Sequence, residues 1–180
     1  EFEQFIQAVQ DKPASYAAFM TMYYTGMRVG ELCALTPADI DLSNNTITIN
    51  KTFQRINGRD VIWPPKTPKS NRVVTIPQTL SDCLKEYMAK CYEIQPNNRL
   101  FPYTKSFLNH EMLRGCKKSG VKKIRVHDLR HSHASLLIEM GCQPLLIADR
   151  LGHEKIQTTL DTYSHLYPNK QTEVAKQRSF

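Results

Sequence analysis

Long apolar runs and closely spaced cysteines are both missing from this sequence. A membrane-spanning helix needs about 18 or more consecutive apolar residues, whereas the longest apolar stretch, Tyr16–Tyr24, is short and is interrupted by Thr21. There is no C-x-x-C pair, and an odd number of cysteines is more typical of single thiols in a reducing compartment than of a disulfide framework. We therefore expect neither a membrane protein nor a disulfide-rich secreted domain. The 5 cysteines are Cys33, Cys83, Cys91, Cys116 and Cys142.

Acidic residues are outnumbered by basic ones, 17 to 24, which gives a net charge of +7. Half of the Lys and Arg residues fall in two stretches, 51–72 and 112–126, which contain a single acid, Asp60. Solvated surfaces account for many such clusters, but this degree of clustering favours contact with the phosphate backbone of a nucleic acid. The candidates for DNA contact are Lys51, Arg72, Lys117, Lys118, Lys122 and Lys123.

Hydrophobic periodicity predicts a single, mainly helical α+β domain over residues 1–180, with about seven helices around a small three-stranded antiparallel sheet. Strand signals occupy Thr46–Ile49 and Arg72–Ile76, and Asn57-Gly58 between them is a typical hairpin turn. Residues 168–180 form a polar tail. The predicted helices cover 1–10, Ala14–Met27 with a further turn at Glu31–Leu35, 78–92, Ser106–Cys116, His127–Met140, Leu145–Leu151 and Lys155–Leu166.

The segment H-D-L-R-H opens one of the predicted helices. His127 and Arg130 are three residues apart and project from one helix face, and the exposed N–H groups of a helix start favour a phosphate. Two other interpretations stay open for this segment alone. The spacing of His127 and His131 superficially resembles the H-E-x-x-H zinc motif, and the residues also suit ordinary helix capping.

Two further segments hold candidate residues. In T-G-M-R-V-G-E-L, Glu31 is placed to hold the guanidinium of Arg28, although a buried Arg–Glu pair can equally anchor a helix turn. In L-G-H and T-Y-S-H, His153 precedes Tyr163 by ten residues. Helical phase puts Tyr163 beside an apolar stripe, which is typical of a core tyrosine, and makes Tyr167 an equal candidate.

Taken in order along the chain, these segments resemble the tyrosine recombinase (phage integrase) family. The family pattern T-G-x-R-x-x-E-L, a Lys on a β-hairpin, H-x-L-R-H, L-G-H and a following Tyr reads here as TGMRVGEL, PKTPKSNR, HDLRH, LGH and LDTYSH. The C-terminal half looks like integrases of Gram-positive phages and conjugative transposons. The resemblance selects Tyr163 over Tyr167 and Lys66 over Lys69. It implies a catalytic set of Arg28, Lys66, His127, Arg130, His153 and Tyr163, with Glu31 and His131 as supporting residues.

The resemblance implies DNA breaking and rejoining through a covalent intermediate. Tyr163 would attack the scissile phosphate, remain bound to the 3′-phosphate and release a 5′-hydroxyl. Arg28 and Arg130 would hold the non-bridging oxygens, with a further hydrogen bond from His153. Lys66 would protonate the leaving oxygen, and His127 would move the tyrosine proton. No cofactor and no metal ion are expected, because the cationic side chains take over the electrostatic role of metals.

The resemblance also implies partners and location. The expected partner is double-stranded DNA, bound by a homotetramer of the full-length protein in the bacterial cytoplasm at the nucleoid, with no membrane. The chain begins with Glu1 rather than Met, and we expect N-terminal core-binding and arm-binding domains outside it. We expect residues 1–180 alone to be monomeric without DNA and to recombine poorly. Residues 168–180 are a candidate for exchange between subunits.

Two alternatives remain at this stage. A type IB topoisomerase shares the tyrosine chemistry and relaxes supercoils as a monomer. A non-catalytic module is also conceivable, since helices 144–151 and 155–166 could form a helix-turn-helix gripping DNA. In that case Tyr163 would be a core residue and Arg28 a structural one.

Overall fold

The computed structural model describes residues 1–65 and 67–167 as a mainly helical α+β domain. Within these ranges eight α-helices surround a small sheet, which confirms the predicted fold class. Their bounds are α1 Phe2–Ala8, α2 Pro13–Thr25, α3 Val29–Ala34, α4 Gln78–Lys90, α5 Lys105–Ser119, α6 Asp128–Glu139, α7 Pro144–Leu151 and α8 Ile156–Tyr163. The strands are β1 Ile40–Asp41, β2 Thr46–Ile49, β3 Thr52–Ile56, β4 Arg59–Trp63 and β5 Arg72–Thr75. None of the helices in the described part is long and apolar enough to cross a membrane.

The strands divide into two units. The sheet proper has the antiparallel order β1-β2-β5, and the predicted hairpin β3-β4 stands apart from it. The hairpin packs instead on α3, where the lack of a side chain at Gly30 permits close approach. A Cβ there would lie 2.4 Å from the Thr52 hydroxyl and 3.0 Å from the Phe53 carbonyl oxygen. The expected three-stranded antiparallel sheet is therefore present, and the hairpin is a separate two-stranded unit that packs on α3.

Helix α2 forms the centre of the main hydrophobic core. Its central residues, Ala17–Met22, are buried on all sides of the helix, and Phe19 and Met22 are almost fully enclosed. A second, smaller apolar cluster joins α6, α7 and α8 and contains Tyr163. The ends of α2 and α7 meet near the start of α6, and this junction carries most of the predicted site residues.

Candidate active site

Arg28 links the end of α2 to the start of α3. The chain leaves α2 through Gly26, and Arg28 then occupies the N-cap of α3. Its backbone N–H donates to Glu31 Oε2 at 2.8 Å and its guanidinium Nη1 donates to Glu31 Oε1 at 2.9 Å. The Arg28–Glu31 contact expected from the sequence is thus present. The Arg28 side chain keeps 40% of its exposure, so a ligand can reach it.

A second arginine shares the Glu31 carboxylate. Arg72 donates from Nη1 to Oε1 at 3.1 Å and from Nη2 to Oε2 at 2.9 Å, and its side chain is only 6% exposed. Burial alone would raise the pKa of Glu31, but the hydrogen bonds and charge of Arg72, together with Arg28, lower it overall. Glu31 is therefore a buried carboxylate held between two guanidinium groups.

Arg72 was expected to contact DNA, and its position corrects that expectation. Besides Glu31, its guanidinium donates to the carbonyl oxygens of Ser70 at 3.1 Å and of Arg150 at 2.9 Å. A buried guanidinium with these partners has little capacity left for a phosphate oxygen. The side chain instead joins β5 to α3 and to the end of α7.

Arg130 lies in the first turn of α6 and is buried, with 3% exposure. Its Nη1 donates to the Gly26 carbonyl oxygen at 2.7 Å and its Nη2 to the Leu151 carbonyl oxygen at 2.8 Å. Burial, followed by the positive charge of Arg28, lowers the pKa of Arg130 to about 9. These contacts bring the segments that carry Arg28 and His153 to the same place.

His153 follows the end of α7 and is half-buried. Its backbone N–H donates to the Ala148 carbonyl oxygen at 2.9 Å, and its Nδ1 lies 2.8 Å from the hydroxyl oxygen of Thr159, which is fully buried. Burial, then the charges of Arg130 and Arg28, lower the pKa of His153 to about 4. The imidazole is therefore neutral at pH 7, and the Thr159 contact leaves its Nε2 available to the site.

Tyr163, at the end of α8, is 4% exposed and packs in the second apolar cluster. Its hydroxyl oxygen lies 2.8 Å from Nδ1 of His131. Burial raises the pKa of Tyr163, while the charge of Arg130 opposes that rise. The core position that helical phase predicted is correct, but the hydroxyl end of the ring points to ionisable groups.

Tyr167 has different surroundings. Its hydroxyl oxygen is buried without a hydrogen-bond partner among the described residues. Burial raises the pKa of Tyr167, and the neighbouring Cys142 adds to that rise. Geometry therefore separates the two tyrosines that sequence periodicity could not, since only Tyr163 combines a histidine partner with a nearby guanidinium.

His127 occupies the N-cap position of α6 without a capping hydrogen bond from its side chain, and it is exposed. Its ring lies 5.2 Å from that of His131, centroid to centroid. Burial of part of the ring, then the charges of His131 and Arg130, lower the pKa of His127. Within residues 1–65 and 67–167 no group of three or more His, Cys, Asp or Glu residues is arranged to hold a metal ion. The geometry therefore gives the zinc interpretation of this segment no support.

A cleft of about 830 Å³ opens between the β3-β4 hairpin and the starts of α5 and α6, and both Arg28 and His127 line it. A second cleft of about 380 Å³ lies beside it, lined by Arg28, Lys51 and Gly152 and by Pro65 and Thr67. Lys66, the predicted general acid, lies outside the described residues, as does the tail 168–180. The clefts meet at Arg28, which faces both.

The remaining basic candidates occupy different surroundings. Lys51 forms a 2.5 Å ion pair with Asp39. Lys118 forms a 3.3 Å ion pair with Asp11, a residue that lies just before α2 begins. Arg28 lies at the other end of this helix, just after α2 ends. A helix of this length, 13 residues, spans about 20 Å, so Lys118 is far from the site. Lys117 shares the last turn of α5 with Lys118, while Lys122 and Lys123 are exposed on the segment leading to His127.

Sequence reasoning missed two residues of this arrangement. Thr159 contacts His153, and Arg150 donates to the carbonyl oxygens of Tyr24 at 3.0 Å and Thr75 at 2.9 Å, which ties α7 to the ends of α2 and β5. A buried threonine in a helix and an arginine in an amphipathic helix carry no local signal of such contacts. Only the packing of distant segments reveals them.

Comparison with known proteins gives consistent matches. A sequence profile of the phage integrase family matches residues 1–170. The chain is 35% identical over 189 residues to the ICEBs1 integrase of Bacillus subtilis, covering 97% of this chain and 51% of that protein. It is 35% identical over 159 residues to the integrase of Staphylococcus phage L54a, covering 79% and 45% respectively. The chain thus spans about half the length of the curated relatives it matches.

Solved structures share the fold. The Tn1549 transposon integrase in complex with circular intermediate DNA superposes with a TM-score of 0.82 at 24% identity, over 97% of this chain and 62% of that chain. The XerA recombinase gives a TM-score of 0.74 at 26% identity, over 99% and 61%. The catalytic domain of bacteriophage HP1 integrase gives 0.61 at 24% identity, over 91% and 81%.

Proposed function

Because the chain belongs to the phage integrase family, we propose that it is the catalytic domain of a site-specific DNA recombinase whose nucleophile is Tyr163. The observation that carries this proposal is the position of the Tyr163 hydroxyl. It is hydrogen-bonded to His131 and lies within the field of Arg130, at the junction that also holds Arg28 and His153. A phenol beside cationic donors is suited to attack on a phosphodiester.

The reaction begins with attack of the Tyr163 oxygen on the scissile phosphorus. The new bond joins Tyr163 to the 3′-phosphate, and the bond from phosphorus to the 5′-oxygen breaks. The phosphotyrosyl link conserves the bond energy that hydrolysis would lose, so no outside energy source is needed. A 5′-hydroxyl from a partner duplex then attacks the link and restores the DNA backbone, which releases Tyr163.

Arg28 and Arg130 stabilise the negative charge that builds up on the non-bridging oxygens. Guanidinium groups can bind two oxygens at once, which suits this task better than the single point charge of lysine. Neutral His153 donates a further hydrogen bond through Nε2, the nitrogen that its contact with Thr159 leaves available. Lys66 protonates the departing 5′-oxygen, as the family pattern implies. Glu31 orients Arg28 from behind.

The substrate is double-stranded DNA. The positive net charge of the chain, the exposed Lys122 and Lys123, and the cleft beside Arg28 and His127 support this assignment. The Tn1549 transposon integrase, which shares the fold, was solved in complex with DNA. By family resemblance, the full-length protein acts as a homotetramer on two DNA sites at the bacterial nucleoid, and the tail 168–180 passes between subunits.

A covalent trapping experiment tests the proposal. The full-length natural protein is incubated with a duplex built from the sequences that flank its own genetic element. A nick beside the cleavage position lets the released strand diffuse away. We expect a DNA adduct with the wild-type protein and with Tyr167→Phe, and none with Tyr163→Phe. Adduct formation by Tyr163→Phe would show that the nucleophile is another residue.

The two alternatives predict different outcomes in the same preparation. A helix-turn-helix module would bind the duplex but give no adduct with any variant. A type IB topoisomerase would give the adduct and also relax a supercoiled plasmid as a monomer, without exchanging strands between two duplexes. We expect strand exchange between duplexes that depends on Tyr163.

A further inference from the structure

The end of α7 presents the backbone carbonyl oxygens of residues 150–152 to three arginines, which come from three other elements. Nε of Arg72, on β5, donates to the first of these oxygens at 2.9 Å. Nη2 of Arg130, on α6, donates to the second at 2.8 Å. Nη2 of Arg28, just before α3, donates to the third at 3.3 Å. Each oxygen therefore orients one guanidinium group, and the groups of Arg28 and Arg130 belong to the predicted catalytic set.

Carbonyl groups at the end of a helix are suited to hold several cations together. They lack partners within the helix, and they form the negative end of the helix dipole. Burial and then the positive charge of Arg28 lower the pKa of Arg130, so the two guanidinium groups repel each other. Among the described residues Arg130 forms no ion pair, and its guanidinium donates to backbone carbonyl oxygens. The end of α7 therefore offsets a repulsion that would otherwise drive Arg28 and Arg130 apart.

The side chain of Arg150 fixes the position of this helix end. Its Nη2 donates to the carbonyl oxygens of Tyr24 at 3.0 Å and Thr75 at 2.9 Å, and its Nε donates to Nε2 of His133 at 3.0 Å. Tyr24 lies on α2, which leads to Arg28, whereas Thr75 lies on β5 and His133 on α6. One guanidinium group therefore ties the end of α7 to the same three segments that supply its three arginine partners.

The contact between Arg150 and His133 is a permanent link at neutral pH. An arginine N–H only donates, so Nε2 of His133 must be the acceptor and the imidazole must be neutral. His133 is 3% exposed. Burial, followed by the charge of Arg150, lowers the pKa of His133 to about 4. The imidazole therefore stays unprotonated at pH 7 and keeps its lone pair directed at Arg150.

We propose that Arg150 is a positioning residue for DNA cleavage, because it fixes the end of α7 and thereby the directions in which Arg28 and Arg130 point. Within the part of the chain that the structure describes, Arg150 lines neither of the two clefts beside Arg28. It acts through the two arginines and does not touch the scissile phosphate itself. The inference rests on the proposed function, since it assigns a role within that reaction.

Substitution of Arg150 by methionine keeps much of the aliphatic stem and removes every donor. The full-length variant is assayed in a single turnover on the nicked duplex, well below its melting temperature. A misplacement of about 1 Å by a change far from the chemistry costs about 10²-fold in rate. We expect Arg150→Met to form the covalent adduct slower by about that factor, with duplex affinity close to that of the wild type.

The matched control is Arg114→Met. Arg114 also joins separate elements, because it lies on α5 and pairs at 2.9 Å with Asp11, which precedes α2. This contact lies at the opposite end of α2 from Arg28. We expect Arg114→Met to lower the melting temperature but to form the adduct at the wild-type rate. An equal loss of rate in Arg114→Met and Arg150→Met would overturn the proposal, since the loss would then follow from reduced stability alone.

A duplex with a neutral scissile group tests whether the defect arises from the arginines. In a methylphosphonate one non-bridging oxygen is replaced by methyl, so the group carries no charge and needs less stabilisation by guanidinium. With each stereoisomer, the loss caused by Arg150→Met should shrink from about 10²-fold to less than about tenfold. An equal fold loss on the charged and neutral duplexes, or a wild-type rate on the charged one, would contradict the proposal.

A variant that does not fold, as judged by its melting temperature, is replaced in both assays by Arg150→Lys. Lysine keeps the charge, but its single amine cannot reproduce the fork that serves three acceptors. The same outcomes then decide. An adduct formed by the wild-type protein and absent in Tyr163→Phe keeps the proposed function intact whichever way the Arg150 result falls.

Discussion

Arg72 and Glu31 form a buried bidentate ion pair that joins β5 to α3. Nη1 of Arg72 donates to Oε1 of Glu31 at 3.1 Å, and Nη2 donates to Oε2 at 2.9 Å. The opposite side of this carboxylate receives Arg28. Arg72 also binds the Arg150 carbonyl oxygen at the end of α7. The orientation of Arg28 therefore depends on a residue that is buried and does not face the clefts itself.

Removal of Arg72 should destabilise the fold. Arg72→Ala leaves Glu31 with one guanidinium partner in a buried site, and breaking a buried ion pair costs about 3–5 kcal/mol. We expect the free energy of unfolding, measured with urea, to fall by about that amount. Arg55→Ala is the control, because Arg55 is 56% exposed in its pair with Asp60 and such pairs contribute at most about 1 kcal/mol. Equal losses in the two variants would contradict this account.

The Glu31 carboxylate should also make the stability of the fold depend on pH. Folding lowers the pKa of Glu31, since Arg72 and Arg28 outweigh the effect of burial. Its contribution is therefore fully present above the ordinary carboxyl pKa of about 4.3 and is lost as the pH falls through the lowered value. Carboxyl groups titrate between about pH 6 and pH 3. Over this range we expect the melting temperature of Glu31→Gln to fall less than that of the wild type. An unchanged slope would show that other carboxylates dominate.

A side chain at position 152 should destabilise the fold. Its φ is +68° and a Cβ would lie 2.9 Å from Nη1 of Arg72. Gly120 offers a matched control, because its φ is +75° and a Cβ there meets nothing within 4 Å. Gly120→Ala should cost about 1–2 kcal/mol from backbone conformation alone, whereas Gly152→Ala should cost more and also slow DNA cleavage. The comparison fails if thermal denaturation shows equal losses and cleavage is unchanged.

The contact between Thr159 and Nδ1 of His153 should fix the orientation of the imidazole, and so the direction in which Nε2 points. Thr159→Val keeps the shape of the side chain but removes the hydroxyl that contacts Nδ1 of His153. When a metal-ligating histidine loses the partner that orients it, metal affinity or activity typically falls by about 10- to 100-fold, and we expect a loss of similar size here. We expect a single-turnover cleavage rate about tenfold or more below that of the wild type, with unchanged DNA affinity. Thr159→Ser restores the hydroxyl and should recover most of the rate. If Ser is as slow as Val, the hydroxyl is not the cause.

Lys122 and Lys123 should contribute to DNA affinity through phosphate contacts. Each contact to phosphate releases a counterion, so replacing one lysine with Gln should reduce the slope of log affinity against log salt by about 1. Lys118→Gln is the control, since Lys118 is paired with Asp11 at the far end of α2. Fluorescence anisotropy with the recombination-site duplex at several salt concentrations measures the slopes. A larger change for Lys118→Gln would reverse the assignment.

The sequence by itself determined the elements of this protein and the candidates for its chemistry. Apolar patterning predicted the helices, because an amphipathic helix turns one face away from water and a helix that is apolar all round is buried. Asn57-Gly58 predicted the hairpin, because that turn needs residues that accept positive φ. The order of the motifs pointed to the family. The contact between Arg28 and Glu31 was predictable because side chains three residues apart on a helix are neighbours.

Only the tertiary structure decided which of these residues meet. It removed Arg72 from the DNA surface by burying it against Glu31, and it placed the hydroxyl of Tyr163 rather than Tyr167 beside a histidine. It also assigned that contact to His131, and it supplied Thr159 as the partner of His153. Local sequence carries no record of such pairs, since each joins segments that become neighbours only when the helices pack.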